Sequence, residues 1–206
     1  MTRIVLADDQ AMIRTALATT LGLEADIEVV GQAGTCAEAV DVVAETRPDA
    51  LLLDVQMPDG GLRVEDGIDV IPRVLEASPS TTVLVVTTFG RPGYLRRALE
   101  AGACGFMVKD APADRLVEGG RRAAAGLRVV DGELAAASLS LGPSPLSPQE
   151  TRVLAASSGG ASTKEVARRV HLSEGTVRNY VSSAIGKLHA RNRAEAIRVA
   201  EDNGWL

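Results

Sequence analysis

Along the first 125 residues, short apolar runs alternate with longer stretches of helical period. The runs are Arg3–Ala7, Ile27–Gly31, Ala50–Asp54, Thr82–Thr87 and Cys104–Val108. Leu51-Leu52-Leu53 is apolar without alternation, the pattern of a strand covered on both faces. Between the first two runs, Ala11–Leu23 sets Ile13, Leu17 and Leu21 four residues apart, on one face of a predicted helix. Cys36–Glu45, Ile68–Ala77, Gly93–Ala101 and Ala113–Ala125 are the other predicted helices. Strand and helix alternating in this way predict an α/β domain, a doubly wound five-stranded parallel sheet with helices on both faces.

The pattern changes after residues 142–148, which hold three prolines in six residues. Proline fixes φ and removes a backbone donor, so this stretch reads as a linker running into a helix start. Beyond it the periodicity predicts a small all-α domain of four helices: Pro148–Ser157, Ser162–Val170, Glu174–His189 and Arg193–Asn203. Ser147 lies three residues before Glu150, the spacing of a capping box, and Ser173 is a candidate N-cap for the third helix. The predicted organisation is a first domain over 1–125, a linker over 126–145 and a second domain over 146–206.

The 206 residues are 46% hydrophobic and 24% charged, which suits folded domains rather than a disordered chain. No apolar run reaches the roughly 18–20 residues of a membrane span, and the N-terminus lacks the apolar core of a signal peptide. A cytoplasmic protein without membrane insertion is the expectation. Cys36 and Cys104 stand apart, with no CxxC and no histidine cluster, which argues against a disulfide framework or a structural zinc site. The net charge of −5 argues against nucleic acid until the chain is divided. Residues 1–145 carry 13 basic and 21 acidic side chains, net −8; residues 146–206 carry 9 and 6, net +3.

Three carboxylates hold special positions. Asp8 and Asp9 follow the first predicted strand and Asp54 ends the third. In an open parallel sheet functional groups collect at the carboxyl ends of the strands. Clustered carboxylates repel unless a cation compensates them, and hard oxygen ligands suit Mg²⁺. Thr87 ends the fourth strand and Lys109 follows the fifth, adding a hydroxyl and an ammonium of the kind that bind a phosphoryl group.

Asp8-Asp9, Asp54-Val55-Gln56-Met57-Pro58, Thr87 and Lys109-Asp110-Ala111-Pro112 together resemble the receiver domain of two-component response regulators, a CheY-like, flavodoxin-like fold of strand order 2-1-3-4-5. The resemblance implies that Asp54 accepts a phosphoryl group from a histidine kinase. It implies Mg²⁺ on Asp9, Asp54 and the backbone carbonyl of Gln56, with Asp8 acting through water. Lys109 would pair with phosphoryl oxygens, Thr87 would hydrogen-bond the phosphoryl group, and Phe106 would be the switch aromatic behind it. One departure is plain. Asp59–Glu65 separates Met57-Pro58 from Asp66-Gly67, five residues more than the family's usual two. The loop borders the acceptor and could bear on kinase recognition or acyl-phosphate lifetime, but a surface insertion of that size costs little and toleration is the favoured expectation.

In the second domain, Val177, Val181, Ile185 and Leu188 form an apolar stripe, which turns Arg178, Asn179 and Ser182 outward. Arginine pairs well with guanine and asparagine with adenine in a major groove. Leu146–Glu150, Ser162–Ala167, Leu172-Ser173, Thr176–Tyr180 and Lys187-Leu188 resemble the LuxR/NarL-type helix-turn-helix. The resemblance implies base contacts from Arg178, Asn179 and Ser182, while Lys164, Thr176, Tyr180 and Lys187 face phosphates or shape the turn. Thr87–Tyr94, Gly175–Val181 and Glu201–Leu206 carry a narrower resemblance to one regulator within this NarL/FixJ family. The implied function is a transcription regulator that dimerises on phosphorylation and binds promoter DNA. The first and fifth helices of the receiver are one candidate dimer face. An aspartyl-phosphate phosphatase uses similar groups but wants a DxD nucleophile after its first strand, whereas here the paired acids are adjacent. Nothing that phosphorylation requires is missing, which also argues against a vestigial receiver.

Overall fold

The computed structural model describes residues 1–64, 66–88, 90–140, 142 and 144–206, without the side chains of Leu139 and Ser140. Two compact units emerge: Met1–Gly90 with Leu95–Ala135, and Arg91–Tyr94 with Ala136–Leu206. No helix among the described residues is long and apolar enough to cross a membrane.

The first unit is built on strands β1 (Thr2–Ala7), β2 (Ile27–Ala33), β3 (Ala50–Leu53), β4 (Thr82–Thr87) and β5 (Gly105–Val108). They alternate with helices α1 (Ala11–Gly22), α2 (Cys36–Thr46), α3 (Ile71–Ala77), α4 (Pro92–Glu100) and α5 (Ala113–Ala124). All pairings are parallel, and the order β2-β1-β3-β4-β5 is the one the sequence resemblance implied. Side chains alternate across a strand, so each strand serves two cores. Ile4, Leu6, Leu52, Leu84 and Val86 meet Leu21 of α1 and Leu116, Val117 and Ala123 of α5. Val5, Leu51, Leu53, Val83 and Val85 turn to the opposite face and are fully buried, as are Ala39 and Val43 of α2 and Ile71 and Val74 of α3. Helix ends follow local chemistry. Thr35 caps α2 by accepting the Glu38 N–H at 3.2 Å, and Arg47 ends it in the left-handed region at φ 46°. The stretch predicted as one helix over 68–77 begins as a 3-10 turn, Ile68–Val70.

A sixth strand was not expected. Within the interval read as linker, β6 (Val129–Val130) pairs parallel with β5, and α6 (Gly132–Ser140) follows. Gly105 makes this possible. A Cβ at that position would lie 2.2 Å from the Val129 carbonyl oxygen, so only glycine lets the two backbones approach. Two residues give too little periodicity for a strand to be read from sequence.

The second unit contains α7 (Pro148–Ala155), α8 (Thr163–Val170), α9 (Glu174–Lys187) and α10 (Arg193–Asp202). Ser147 and Glu150 form the expected capping box, and Ser162 and Glu165 form a second one. His171, at φ 57°, ends α8, and Ser173 caps α9 through the Thr176 N–H at 3.1 Å. One apolar cluster joins Val153, Val166, Val170 and Val177. Another joins Leu146, Leu154, Ala184, Leu188, Ala196 and Ala200, with Trp205 packed against it.

Glu150 is only 4% exposed. One oxygen accepts the Ser183 hydroxyl at 2.6 Å; the other takes the Ser147 N–H at 2.6 Å and the Lys187 ammonium at 2.7 Å. Burial pushes the carboxyl up, but Lys187, Ser183 and Ser147 outweigh it and hold it down to about 2. A carboxyl held below its ordinary value near 4.5 contributes stability that is complete above about pH 4.5. That contribution is lost as pH falls toward about 2. Melting followed by the fluorescence of Trp205, the sole tryptophan, should therefore show the second unit losing stability below pH 4.5. Glu150→Gln should melt lower at pH 7 and lack most of that acid dependence.

Gly105→Ala should strain or undock β6, at a cost of about 1–3 kcal/mol for overpacking. Denaturant unfolding and amide exchange at Val129 and Val130 would measure it.

Candidate functional site

Parallel strands end at one edge of a sheet, and here that edge gathers the acids. Ala7 lies opposite Leu53 in register, so Asp8 and Asp54 leave neighbouring strands side by side. The Asp54 N–H donates to the Ala7 carbonyl at 2.9 Å. Carboxylate oxygens of Asp8, Asp9 and Asp54 all lie within 4.8 Å of one another. Asp8 and Asp54 are buried and Asp9 is exposed. Lys109 arrives from the end of β5, its N–H bonded to the Thr87 carbonyl at 2.7 Å. Its ammonium stands 2.6 Å from Asp8 Oδ2 and 2.7 Å from Asp54 Oδ2.

The electrostatics follow from this packing. Burial pushes the Asp54 carboxyl above its usual range; the Lys109 ammonium and the Gln56 N–H pull it back only in part, and Asp8 adds to the rise. Burial alone would lower the Lys109 ammonium, but Asp54 and Asp8 more than compensate, so it stays protonated. Among the described residues, Asp54 Oδ1 is buried without a hydrogen-bond partner, and so is the Thr87 hydroxyl. Hard oxygen donors converging with one unsatisfied oxygen fit a divalent cation such as Mg²⁺.

Gln56 follows on the loop with its side chain exposed, and Phe106 is fully buried in β5 opposite Val85. Asp8, Asp9, Asp54 and Lys109 thus meet directly. Thr87 ends the strand beside β3, and Phe106 lies one strand further on.

Three contributors escaped the sequence reading. Arg14 of α1 donates to the Asp8 carbonyl and braces the loop that carries both acids. Gly67 packs beneath Asp54, where a Cβ would lie 2.0 Å from the Asp54 carbonyl oxygen. Asp66-Gly67 was visible as the pair that follows the inserted residues, but its contact with a residue thirteen positions earlier was not. The third is Glu150, legible as a cap but not as the partner of Lys187.

The loop 59–65 folds locally, with Glu65 outside the described residues. The Asp59 carboxylate accepts the Gly61 and Arg63 N–H groups at 3.1 and 3.2 Å, an Asx-type turn. Burial, with Asp66, Asp59 and Asp69 nearby, pushes the adjacent Cys36 thiol up to about 11, so it stays protonated.

On the second unit, Arg178, Asn179 and Ser182 are exposed along α9 while Val177, Ala184 and Leu188 are buried beneath them. Arg178 lies 3.7 Å from Glu174, one turn earlier. Lys164 is exposed on α8. Thr176 is half-buried, its hydroxyl 2.8 Å from that of Ser173. Tyr180 packs partly against the Val153 cluster, and Lys187 is engaged by Glu150. α8 and α9, joined by residues 171–173, have the layout of a helix-turn-helix.

Known proteins agree with both halves. The response regulator receiver domain family matches residues 4–119, and the luxR family of bacterial regulatory proteins matches residues 144–200. The Bacillus subtilis transcriptional regulatory protein YvfU is 38% identical over 206 residues, with all of both chains covered. DesR, a transcriptional regulatory protein of the same organism and the regulator behind the narrower resemblance, is 37% identical with the same coverage. A solved structure of RcsB shares the fold at a TM-score of 0.68 and 21% identity, covering 98% of each chain. The chain therefore belongs to the response regulators of the LuxR family, in which a receiver domain precedes a helix-turn-helix DNA-binding domain.

Proposed function

We propose that this chain is the output protein of a two-component system, accepting a phosphoryl group on Asp54 from a histidine kinase and then binding promoter DNA as a dimer. The observation that carries the reading is the state of the two Asp54 oxygens. Oδ2 is held at 2.7 Å by Lys109, while Oδ1 is buried without a partner. That leaves Oδ1 for the cation and makes Oδ2 the nucleophile, with the Lys109 ammonium beside the position the phosphoryl oxygens would take.

In the transfer, an Asp54 oxygen bonds to phosphorus as the phosphorus–nitrogen bond of the kinase phosphohistidine breaks, leaving an acyl phosphate. Asp9, Asp54 and the Gln56 carbonyl would hold Mg²⁺, with Asp8 acting through water. Bound there, Mg²⁺ would neutralise charge on the phosphoryl oxygens. Lys109 then exchanges a carboxylate oxygen for a phosphoryl oxygen. Thr87 gains a partner for its unsatisfied hydroxyl by bonding the phosphoryl group, and Phe106 packs behind it. The protein's own chemistry ends with this uptake and slow hydrolysis; it is a DNA-binding transcription regulator and not a metabolic enzyme.

Dimerisation sets two recognition helices about one DNA turn apart and multiplies weak contacts. RcsB, which shares the fold, has been solved as dimers on DNA. The face of α1 and α5 is the candidate dimer surface that the narrower family resemblance suggests. Arg178, Asn179 and Ser182 are assigned to base edges, with Lys164, Thr176, Tyr180 and Lys187 at phosphates or the turn. The proposed domain limits are 1–125, 126–145 and 146–206, with β6, which pairs with β5, and α6 inside the middle segment. Promoter DNA as partner puts the working protein in the cytoplasm.

With Mg²⁺ and acetyl phosphate or beryllofluoride, the wild-type protein should dimerise in sedimentation and gain affinity for its promoter. Asp54→Asn should do neither. An Asp54→Asn protein that dimerises and binds like the treated wild type would sink the reading. Within the DNA interface, Arg178→Ala should cost about 1–3 kcal/mol and relax sequence preference at one position. Lys164→Ala should weaken binding to all sequences and reduce the salt slope by about one.

A further inference from the structure

Gly67 touches the acceptor loop in two ways. Its Cα faces the Asp54 carbonyl so closely that no Cβ could fit, and its N–H donates to the Val55 carbonyl at 2.7 Å. The Met57 N–H reaches the same Val55 carbonyl at 3.1 Å. The Val55–Gln56 peptide is therefore gripped by two donors. The Met57 N–H lies in the same planar peptide as the Gln56 carbonyl, so its bond to Val55 fixes the direction of that carbonyl.

Gly67 is held in turn by Asp66. Asp66 Oδ1 accepts the Ile68 N–H at 2.9 Å and the Asp69 N–H at 3.3 Å, which anchors the start of the 3-10 turn. Arg97, from α4, then clamps the carboxylate. Its Nη1 lies 2.8 Å from Asp66 Oδ2, and its Nη2 lies 3.3 Å from Asp66 Oδ1 and 3.0 Å from Asp69 Oδ1. The Arg97 and Asp66 side chains are only 21% and 18% exposed. A two-pronged guanidinium–carboxylate pair shielded from water is directional and strong, unlike an exposed surface pair. Such a pair would be an expensive way to hold an indifferent surface turn. This turn has the phosphoacceptor backbone on its other side.

We infer that Arg97 is a positioning residue for the metal site: acting through Asp66 and Gly67, it sets the Gln56 main-chain carbonyl for Mg²⁺. The inference rests on the assignment of that carbonyl as a ligand. Mg²⁺ demands near-octahedral geometry from short bonds, so it is sensitive to the placement of a single oxygen. Groups that orient metal ligands without touching the metal commonly matter about 10–100-fold in affinity. Arg97 also ties α4, the helix that follows Thr87, to the loop that carries Asp54.

The test is direct Mg²⁺ titration of the full-length protein by calorimetry, with no phosphoryl donor present. Arg97→Gln should raise the Mg²⁺ Kd about tenfold. Asp66→Asn keeps a carbonyl to cap Ile68 but loses the ionic clamp, and should match it. The double variant should be no weaker than Arg97→Gln alone, because Asp66→Asn removes a clamp that Arg97→Gln already lacks. Arg97→Lys, with one prong in place of two, should fall between wild type and Arg97→Gln. Amide resonances of Gln56 and Gly67 should shift in Arg97→Gln while those of the α5 core stay put. Wild-type affinity in both Arg97→Gln and Asp66→Asn would overturn the inference, as would losses that simply multiply in the double variant. If Arg97→Gln lost its fold, Asp66→Asn and Arg97→Lys would still decide the matter. A wild-type protein that binds no Mg²⁺, or binds it unchanged after Asp54→Asn, would instead bring down the metal assignment and the inference with it.

Discussion

The Lys109 ammonium between Asp8 and Asp54 is the contact on which the first unit turns. A parallel sheet sends every strand to the same edge, so acids that end neighbouring strands must face one another. Two like charges about 4 Å apart at an effective dielectric near 20 repel by about 4 kcal/mol, enough to matter against a marginal folding free energy. Lys109 answers this from β5, and it needs the strand order to do so. Asp8 follows β1, Asp54 follows β3 and Lys109 follows β5, with β4 between the last two. The compensation is incomplete, since three carboxylates meet one ammonium and one Asp54 oxygen stays unsatisfied. An anionic pocket with a spare buried oxygen is primed for a cation and then for a phosphoryl group.

The second unit meets a similar constraint with different parts. Glu150 is a single buried carboxylate supplied with partners from two helices, its own cap and the α9 residues Ser183 and Lys187. Removing one partner from such a cluster leaves an uncompensated buried charge, so the partners must stay in place together. Here the orientation fixed is that of α9 against α7. Lys187 thereby has two demands on one ammonium, holding Glu150 from within and, in the proposed DNA interface, a phosphate from without. With the Lys187 side chain 41% exposed, its three donors can serve both.

The parts legible in the sequence were those with a local signature. Strand runs, helix periods, the Ser147–Glu150 cap and the acids at strand ends each depend on residues within a few positions of one another. The outward set of α9 was legible too, because the apolar stripe Val177, Val181, Ile185 and Leu188 recurs at helical spacing; Val177 and Leu188 are buried, Val181 and Ile185 only partly, and Ala184, outside that stripe, is buried as well. What stayed hidden has a common cause. Gly67 against Asp54, Arg97 against Asp66 and Lys187 against Glu150 join residues 13, 31 and 37 positions apart through tertiary packing, which no periodicity encodes. Strand β6 escaped for another reason. Its two residues are held by the absence of a side chain at Gly105, and a missing atom leaves no pattern to read.

The extra residues after Met57-Pro58 show how these constraints divide the labour. On one side of the insertion the Cys36 N–H holds the Pro58 carbonyl at 2.8 Å; on the other the Gly67 N–H holds the Val55 carbonyl at 2.7 Å. With both ends pinned, loop length costs only the slow logarithm of closure entropy, about 0.6 kcal/mol for a doubling. Asp59 absorbs the surplus by gathering the Gly61 and Arg63 amides, and Gly60 turns back until its Cα lies against Thr35 and Ala37 at the start of α2. The geometry at Asp54 is set by the pins and not by the loop between them. An insertion can therefore sit beside the proposed phosphoacceptor with both of its ends held by backbone hydrogen bonds to residues outside it.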